Sequence, residues 1–508
     1  MDLLTLILTI FLLGLLYYNY FYNPKKNIFD HLDIPYVKPL PFFGNIIPCL
    51  LRKLNYIELV TKLYNKFPNE KYFGMFDFQT PVIVIRDPEI IKSIGIKNFE
   101  SFINHRGFTN ESIDPIFGRS LFSLKDNQWR EMRTILSPSF TSSKMKMMFN
   151  LMRNCAEKFT QALLEISTND SQNIINLKDI FTKISADVIS TCAFGINIDS
   201  MRDPKNNLYM IGRKATNFDG ILSLKFLLIR NFKRLSKLFK ITIFNSRVNR
   251  FFTNVISSNI KFRKEEGITR QDFLQWMMDF QDNKNENRKL SLEEITANVV
   301  LFFVGGLDAV SSALSFALHE ITVNPGVQEK LQQEIDNVFE NSPGHEPTYQ
   351  DIMNMPYMDA VINEVLRLYP IGIVDRICNR KFELPPISSE KEPITVSPGM
   401  SITFPMFAIH RDSQYFENPE KFTPERFLNE KRVNASSATY FPFGIGPRIC
   451  IGNRFALMEI KVVLFYLLVS LNFQSCCKTS VPIKFKKDCF LLLPEGGFWL
   501  KIEKRKFP

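Results

Sequence analysis

Apolar residues fill positions 3–22 almost without interruption, LLTLILTIFLLGLLYYNYFY. At 1.5 Å per residue a helix of that length spans about 30 Å, the hydrocarbon thickness of a bilayer. Tyr17, Tyr18, Tyr20 and Tyr22 close the run as an interfacial belt, and Lys25 and Lys26 follow at once. That order predicts a retained single-span anchor over 1–24 with the remaining chain in the cytosol. A cleaved signal peptide would have a basic start, a shorter apolar core and a small-residue cleavage site, which this run does not offer. Prolines 24, 35, 39, 41 and 48 then mark 25–48 as a stiff hinge leaving the membrane.

Further on, the β-branched cluster at 81–85 predicts a strand, as does 394–396. Helical periodicity dominates elsewhere. Ser291-Leu292-Glu293-Glu294 is a capping box that opens a helix. The helix runs to Val323, because Asn324-Pro325 supplies a new cap and first-turn proline. It is apolar almost all round at 299–304, so it should cross the interior, and Asp308, His319 and Glu320 exclude it as a second span. Shorter helices are expected at 357–369, ended by Pro370, and at 451–469. The sequence shows no internal repeat.

Composition narrows the class. The 508 residues are 45% hydrophobic and include 48 Phe, which excludes a disordered chain. The eight Cys contain no C-x-x-C pair and the five His no H-E-x-x-H, so neither a disulfide scaffold nor a familiar zinc site is present. The net charge is +11, and residues 221–264 hold eleven Lys and Arg with no Asp or Glu, the entire excess. Bulky apolar residues interleave them. That mixture suits an anionic membrane surface; a nucleic-acid patch or an ordinary amphipathic surface helix produces the same pattern.

The strongest chemical signal is Phe443-Gly444-Ile445-Gly446-Pro447-Arg448-Ile449-Cys450-Ile451-Gly452. Two Gly and a Pro make a tight turn that ends at a Cys just before a helix. Helix N-terminal N–H groups stabilise a thiolate, Gly452 admits a bulky group, and Arg448 offers a cation to a carboxylate on the same ligand. A thiolate ligand to haem iron needs that combination; a buried Cys in a Gly-rich turn is the plainer reading.

This string resembles the haem-binding loop of the cytochrome P-450 family, F-x-x-G-x-R-x-C, at every position. The resemblance implies a mainly α fold with small β-sheets (α+β), a haem-thiolate catalytic domain over 49–508 and haem b (iron protoporphyrin IX) as cofactor. It makes Cys450 the iron ligand and Arg448 a propionate partner, with Phe443, Gly444 and Gly452 around the cofactor. Other landmarks follow in order. Trp129-x-x-x-Arg133 is similar to the helix that packs on haem, and His105 and Arg376 take the places of further propionate partners. Glu364-Val365-Leu366-Arg367 resembles E-x-x-R, with Arg426 of Pro424-Glu425-Arg426-Phe427 completing a buried ion-pair network. Periodicity alone sets Glu364 and Arg367 beside the apolar face, where an i,i+3 pair is usually a surface pair. Pocket positions carried over are Phe108, Phe117, Leu121, Phe302, Phe303, Ile371, Ile373, Val374 and Leu493; core packing explains each equally well. The nearest likeness is to microsomal, insect-type detoxification members.

The central helix departs from the family. It reads Gly305-Gly306-Leu307-Asp308-Ala309, where a Thr is usual at the last position. Asp308 matches the proton-relaying acid, but Ala309 has no hydroxyl, and Ser311 and Ser312 lie at other angles of the helix. Weaker coupling of electron use to product is the expectation, or else a substrate hydroxyl or an ordered water takes the role. The resemblance implies a membrane-bound monooxygenase of the endoplasmic reticulum. It would act on a lipophilic xenobiotic, plant toxin or endogenous lipid or hormone, with electrons from NADPH. No G-x-G-x-x-G loop is visible, so the donor would be a separate flavoprotein reductase, with cytochrome b5 as a further partner. Lys144, Lys146 and Lys461 would suit an acidic partner. Two other classes stay open: a haem-thiolate isomerase or lyase that needs no reductase, and a non-catalytic haem protein that sequesters ligands.

Overall fold

The longest helix begins where its sequence cap places it. Ser291 Oγ accepts the Glu294 N–H, the Glu294 carboxylate accepts the Ser291 N–H, and the helix runs Leu292–Val323. The computed structural model describes residues 28–508 apart from 108, 169–172, 217–219, 284–287, 388–389, 429–437, 490–491 and 506–508, together with Thr9, Leu13, Gly14 and Tyr17. The anchor expected over 1–24 therefore lies almost wholly outside the described residues. Among those described, Leu292–Val323 is the one helix long and apolar enough to cross a membrane. Most of it is buried by other helices, which is why it is apolar.

Among the helices packed against it are Leu177–Ile189, Asn207–Thr216 and Asn453–Ser470. Leu177–Ile189 comes closest, and Gly306 permits this. A Cβ there would stand 2.0 Å from Ile189 Cδ1. Gly305 has no such neighbour, so its missing side chain opens space.

Among the described residues, nine short strands complete the fold: β1 Tyr72–Asp77, β2 Thr80–Ile85, β3 Ile174–Asn176, β4 Val374–Ile377, β5 Phe382–Leu384, β6 Ile394–Val396, β7 Ser401–Phe404, β8 Leu471–Ser475 and β9 Trp499–Lys504. They form a four-stranded sheet in the order β1-β2-β7-β4, a three-stranded sheet β3-β9-β8 and the hairpin β5-β6. The β2–β7 pairing is parallel, with Val82 opposite Ser401. The architecture is mainly helical with small sheets. The proline-rich segment does not stand off the body as a free hinge: Phe29, Ile34 and Ile46 are buried, and Gly74 of β1 donates its N–H to Pro35 O at 2.8 Å.

Glu364 and Arg367, on the helix Pro356–Leu368, are fully buried rather than flanking an exposed face. Arg367 Nε and Nη2 each lie 2.8 Å from a Glu364 carboxylate oxygen. Its Nη1 donates to His410 O and Pro419 O. Arg426 Nε reaches the same carboxylate at 3.0 Å, and so does the Thr423 N–H at 2.8 Å. Periodicity missed this burial because the network's other acceptors come from 410–421, far along the chain.

Candidate active site

Cys450 follows a turn whose geometry its glycines determine. Gly446 has φ +74°, and a Cβ on it would lie 1.7 Å from Gly95 O, so only glycine fits against the turn Ser93–Lys97. Cys450 N–H closes the loop onto Phe443 O at 2.9 Å. The helix Asn453–Ser470 starts immediately after, with Gly452 at its N-cap. The Cys450 side chain is exposed, and the surface it meets is the wall of an internal cavity. Burial pushes its thiol pKa up, while the Gly452 N–H and the Arg133 charge pull it down. A metal cation at the sulfur would favour the thiolate further.

The cavity has about 360 Å3 open to the centre of a water molecule. The central helix contributes Asn298, Leu301, Phe302, Gly305, Gly306 and Ala309, and the facing segment Ile371, Gly372, Ile373 and Val374. Phe302 meets Phe140, Phe273 and Phe455 at ring-centroid distances of 5.4, 5.0 and 4.9 Å. Among the described lining residues there is no Ser, Thr, Tyr, Asp or Glu. The described wall therefore presents no hydroxyl and no carboxyl.

Its polar edge is cationic. Arg133, Arg376, Arg448 and His105 all reach the cavity, beside Trp129. Arg448 donates to backbone carbonyls of Ile103 at 2.8 Å and Leu124 at 2.9 Å, and its guanidinium sits 4.1 Å from the Trp129 ring centre. No carboxylate pairs with it among the described residues. Burial, with Arg376 and Arg133 adding repulsion, lowers its pKa to about 9. Arg376 falls to about 10 through burial, and its Nε has no hydrogen-bond partner among the described residues. Asp375 compensates both cations only in part, and buried cations so incompletely paired are costly. A flat apolar ligand with carboxylates on one edge would satisfy them, with Cys450 placed for a central metal. The residues present fit haem.

Leu121, Phe302, Ile371, Ile373 and Val374 line the cavity with Ala309, Phe443, Gly444 and Gly452. Four expected residues do not. Phe303 turns from the wall into a cluster with Phe194 and Phe252, and packs where Gly212 leaves room for its ring. Phe117 packs edge-on against Phe244 instead. Leu493 is absent from the lining and lies in a loop where its carbonyl accepts the Lys486 N–H. Asp308 points out of the cavity because Lys178, on Leu177–Ile189, holds its Oδ1 at 2.7 Å. The same Nζ reaches Ser311 Oγ at 2.8 Å and Ser312 Oγ at 2.7 Å, so neither hydroxyl substitutes for the one Ala309 lacks. Phe108 lies outside the described residues. Lys178 carried no sequence signal: it is one lysine among many, and its partners are far along the chain.

The family model for cytochrome P450 matches residues 34–502. The chain belongs to the cytochrome P450 family. It is 40% identical to cytochrome P450 9e2 of Blattella germanica over 95% of this chain and 94% of that relative. It is 38% identical to probable cytochrome P450 9f2 of Drosophila melanogaster over 95% and 96%, and 36% identical to cytochrome P450 3A9 of Rattus norvegicus over 96% and 94%. Cytochromes P450 are haem-thiolate monooxygenases, and this chain is an enzyme of that class whose cofactor is haem.

Proposed function

We propose that the chain is a membrane-anchored monooxygenase. It inserts one oxygen atom from O2 into a lipophilic small molecule, with electrons passed from NADPH through a separate flavoprotein reductase. The observation that carries this reading is the cavity wall: mostly aromatic and aliphatic apart from Asn298 and the cationic edge, and opening on Cys450. Such a wall binds by apolar contact. Haem, when bound, supplies the oxygen-activating chemistry, with thiolate ligation favouring O–O cleavage.

The chain's own residues hold and orient. Cys450 offers the sulfur. Arg133, Arg376, Arg448, Trp129 and His105 hold the carboxylate edge. The phenylalanines around Phe302 exclude water and shape the space left to substrate. Protons reach that space through water or a hydroxyl on the substrate, because Ala309 offers none and Lys178 holds Asp308 outside.

Placement at the endoplasmic reticulum membrane draws support from the apolar run at 3–22 and from a basic, greasy surface near 233–240. There Leu235, Leu238 and Phe239 are 49%, 72% and 68% exposed beside exposed Arg234, Lys237 and Lys240. Not every cation of that stretch faces outward: Arg230 and Arg263 are buried in ion pairs. Lys461 is likewise unavailable to a docking partner, since its Nζ is buried against Met353 O at 2.7 Å and Asp359 at 2.8 Å.

The hydroxyl-free wall also favours a second reading, a haem-thiolate isomerase or lyase that rearranges a peroxide without external electrons. Reconstitution with reductase and NADPH against lipophilic compounds separates the two. Oxygenated product that requires both supports the monooxygenase; turnover of a hydroperoxide without either supports the alternative. Substrate-type spectral shifts with no product under any condition would leave only ligand sequestration.

A further inference from the structure

Behind the cationic edge lies a buried polar cluster that joins four segments. Asp375 of β4 sits at its centre. One carboxylate oxygen lies 3.1 Å from His105 Nδ1, and the other accepts from Arg230 Nη2 at 3.0 Å, from the helix Ile221–Asn231. Asp77 of β1 takes Arg106 at 2.6 Å and Asn231 at 3.2 Å. Arg230, Arg106, Asp77 and Asp375 are all buried. The Asp375 backbone carbonyl also faces His105 Nδ1, at 3.0 Å. Arg376 Nη1 also approaches Nδ1, at 3.4 Å, but it donates at 2.7 Å to the Asp375 carbonyl. With two acceptors standing closer, Nδ1 carries the proton. The remaining nitrogen, Nε2, is left for the cavity that His105 lines.

We propose that Asp375 is a positioning residue for the cofactor's carboxylate edge: it fixes the His105 ring so that Nε2 meets that carboxylate as a hydrogen-bond donor, in an Asp375–His105–carboxylate bridge. The proposal rests on the haem reading of the cavity. The bridge needs His105 protonated on both nitrogens, and the surroundings set when this happens. Burial, Arg376 and Arg448 oppose the proton, while Asp375 favours it. Arg230 and Arg106 draw on the Asp375 charge from the far side. A carboxylate arriving at Nε2 adds a second anion and brings the proton with it. Haem retention then depends on pH. The bridge holds below the His105 pKa of the loaded protein and weakens as pH rises through it.

The test is the rate of haemin transfer from the full-length holoprotein to apomyoglobin, measured from pH 5 to 9. Wild type should lose haemin roughly tenfold faster above a single break than below it. Asp375→Asn removes the supporting anion and should move the break to lower pH by about one unit. Arg230→Gln frees the Asp375 charge for His105 and should move it to higher pH. His105→Gln should remove the break. A residue that merely stabilised the fold would give faster loss at every pH in both variants, with the break in place, and that result overturns the proposal. Should Asp375→Asn fail to fold, Arg230→Gln and His105→Gln still decide it: an unmoved break in the first, or a surviving break in the second, rejects it. The reduced, carbon-monoxide-treated wild type serves as the control. If its Soret band is not far-shifted, the haem-thiolate reading itself has failed; if the band is present and the break absent, only this proposal has.

Discussion

Lys178 Nζ lies 2.7 Å from Asp308 Oδ1 and turns that carboxylate away from the cavity Ala309 lines. The acid and the missing hydroxyl are neighbours in sequence but face different surroundings. Restoring the hydroxyl is therefore the change most able to direct protons. Ala309→Thr should raise product formed per NADPH several-fold and lower peroxide release. Measuring NADPH, product and peroxide together checks it; equal, near-complete coupling in both forms would refute it. Lys178→Met strips a partly buried carboxylate and two serine hydroxyls of their donor, and should cost about 1–3 kcal/mol in thermal or denaturant unfolding.

Cys450→Ser replaces the sulfur with an alcohol of much higher pKa. The variant should lose the far-shifted Soret band of the reduced carbon monoxide complex and all oxygenation. The geometry of the turn should persist, since the Cys450 N–H to Phe443 O bond is made by backbone atoms. Absorption spectra and circular dichroism on the same sample separate these effects.

Arg367→Leu leaves Glu364 fully buried with only Arg426 as a cationic partner, and strands the carbonyls of His410 and Pro419. Breaking a buried pair in this way costs about 3–5 kcal/mol. The expected outcome is little or no soluble holoprotein. Arg426→Ala should be milder, because that side chain is partly exposed and Arg367 still neutralises Glu364. Expression yield and melting temperature measure the difference.

Glu459 is fully buried on the helix that follows Cys450, and neither carboxyl oxygen makes a well-formed hydrogen bond among the described residues. Burial raises its pKa to about 8, with the Ser185 hydroxyl pulling weakly the other way. The unfolded chain releases this proton near pH 4.5 and the folded one near 8, so between those values the folded state holds more protons. Stability falls as pH rises across that window. Glu459→Gln should flatten this decline and raise stability at pH 8 by an amount on the order of a few kcal/mol, readable as a melting-temperature profile.

The central helix was legible because its ends are written locally, in Ser291–Glu294 and Asn324-Pro325. The strands at 81–85 and 394–396 were legible from β-branched runs. The cysteine turn was legible too, since its chemistry fits within ten consecutive residues. The sequence concealed what depends on distant pairing. Nothing near Lys178 announces Asp308, and nothing near Arg230 announces Asp375. Phe302 and Phe303 are adjacent and equally apolar, yet one lines the cavity and the other packs against Phe194 and Phe252, a choice made by helix rotation rather than by residue type. Glu364 looked peripheral because periodicity scores one helix at a time and cannot see the loop that covers it.

A chamber walled mainly by hydrocarbon, whose Asn298 amide is already bonded to Leu121 N and Glu294 O, grips a guest largely by contour. Guests of similar outline are then free to tumble, and one compound is attacked at several carbons. The product ratio follows which C–H bond is weakest within reach, so regioisomer mixtures, rather than a single alcohol, are the signature to look for in the chromatogram.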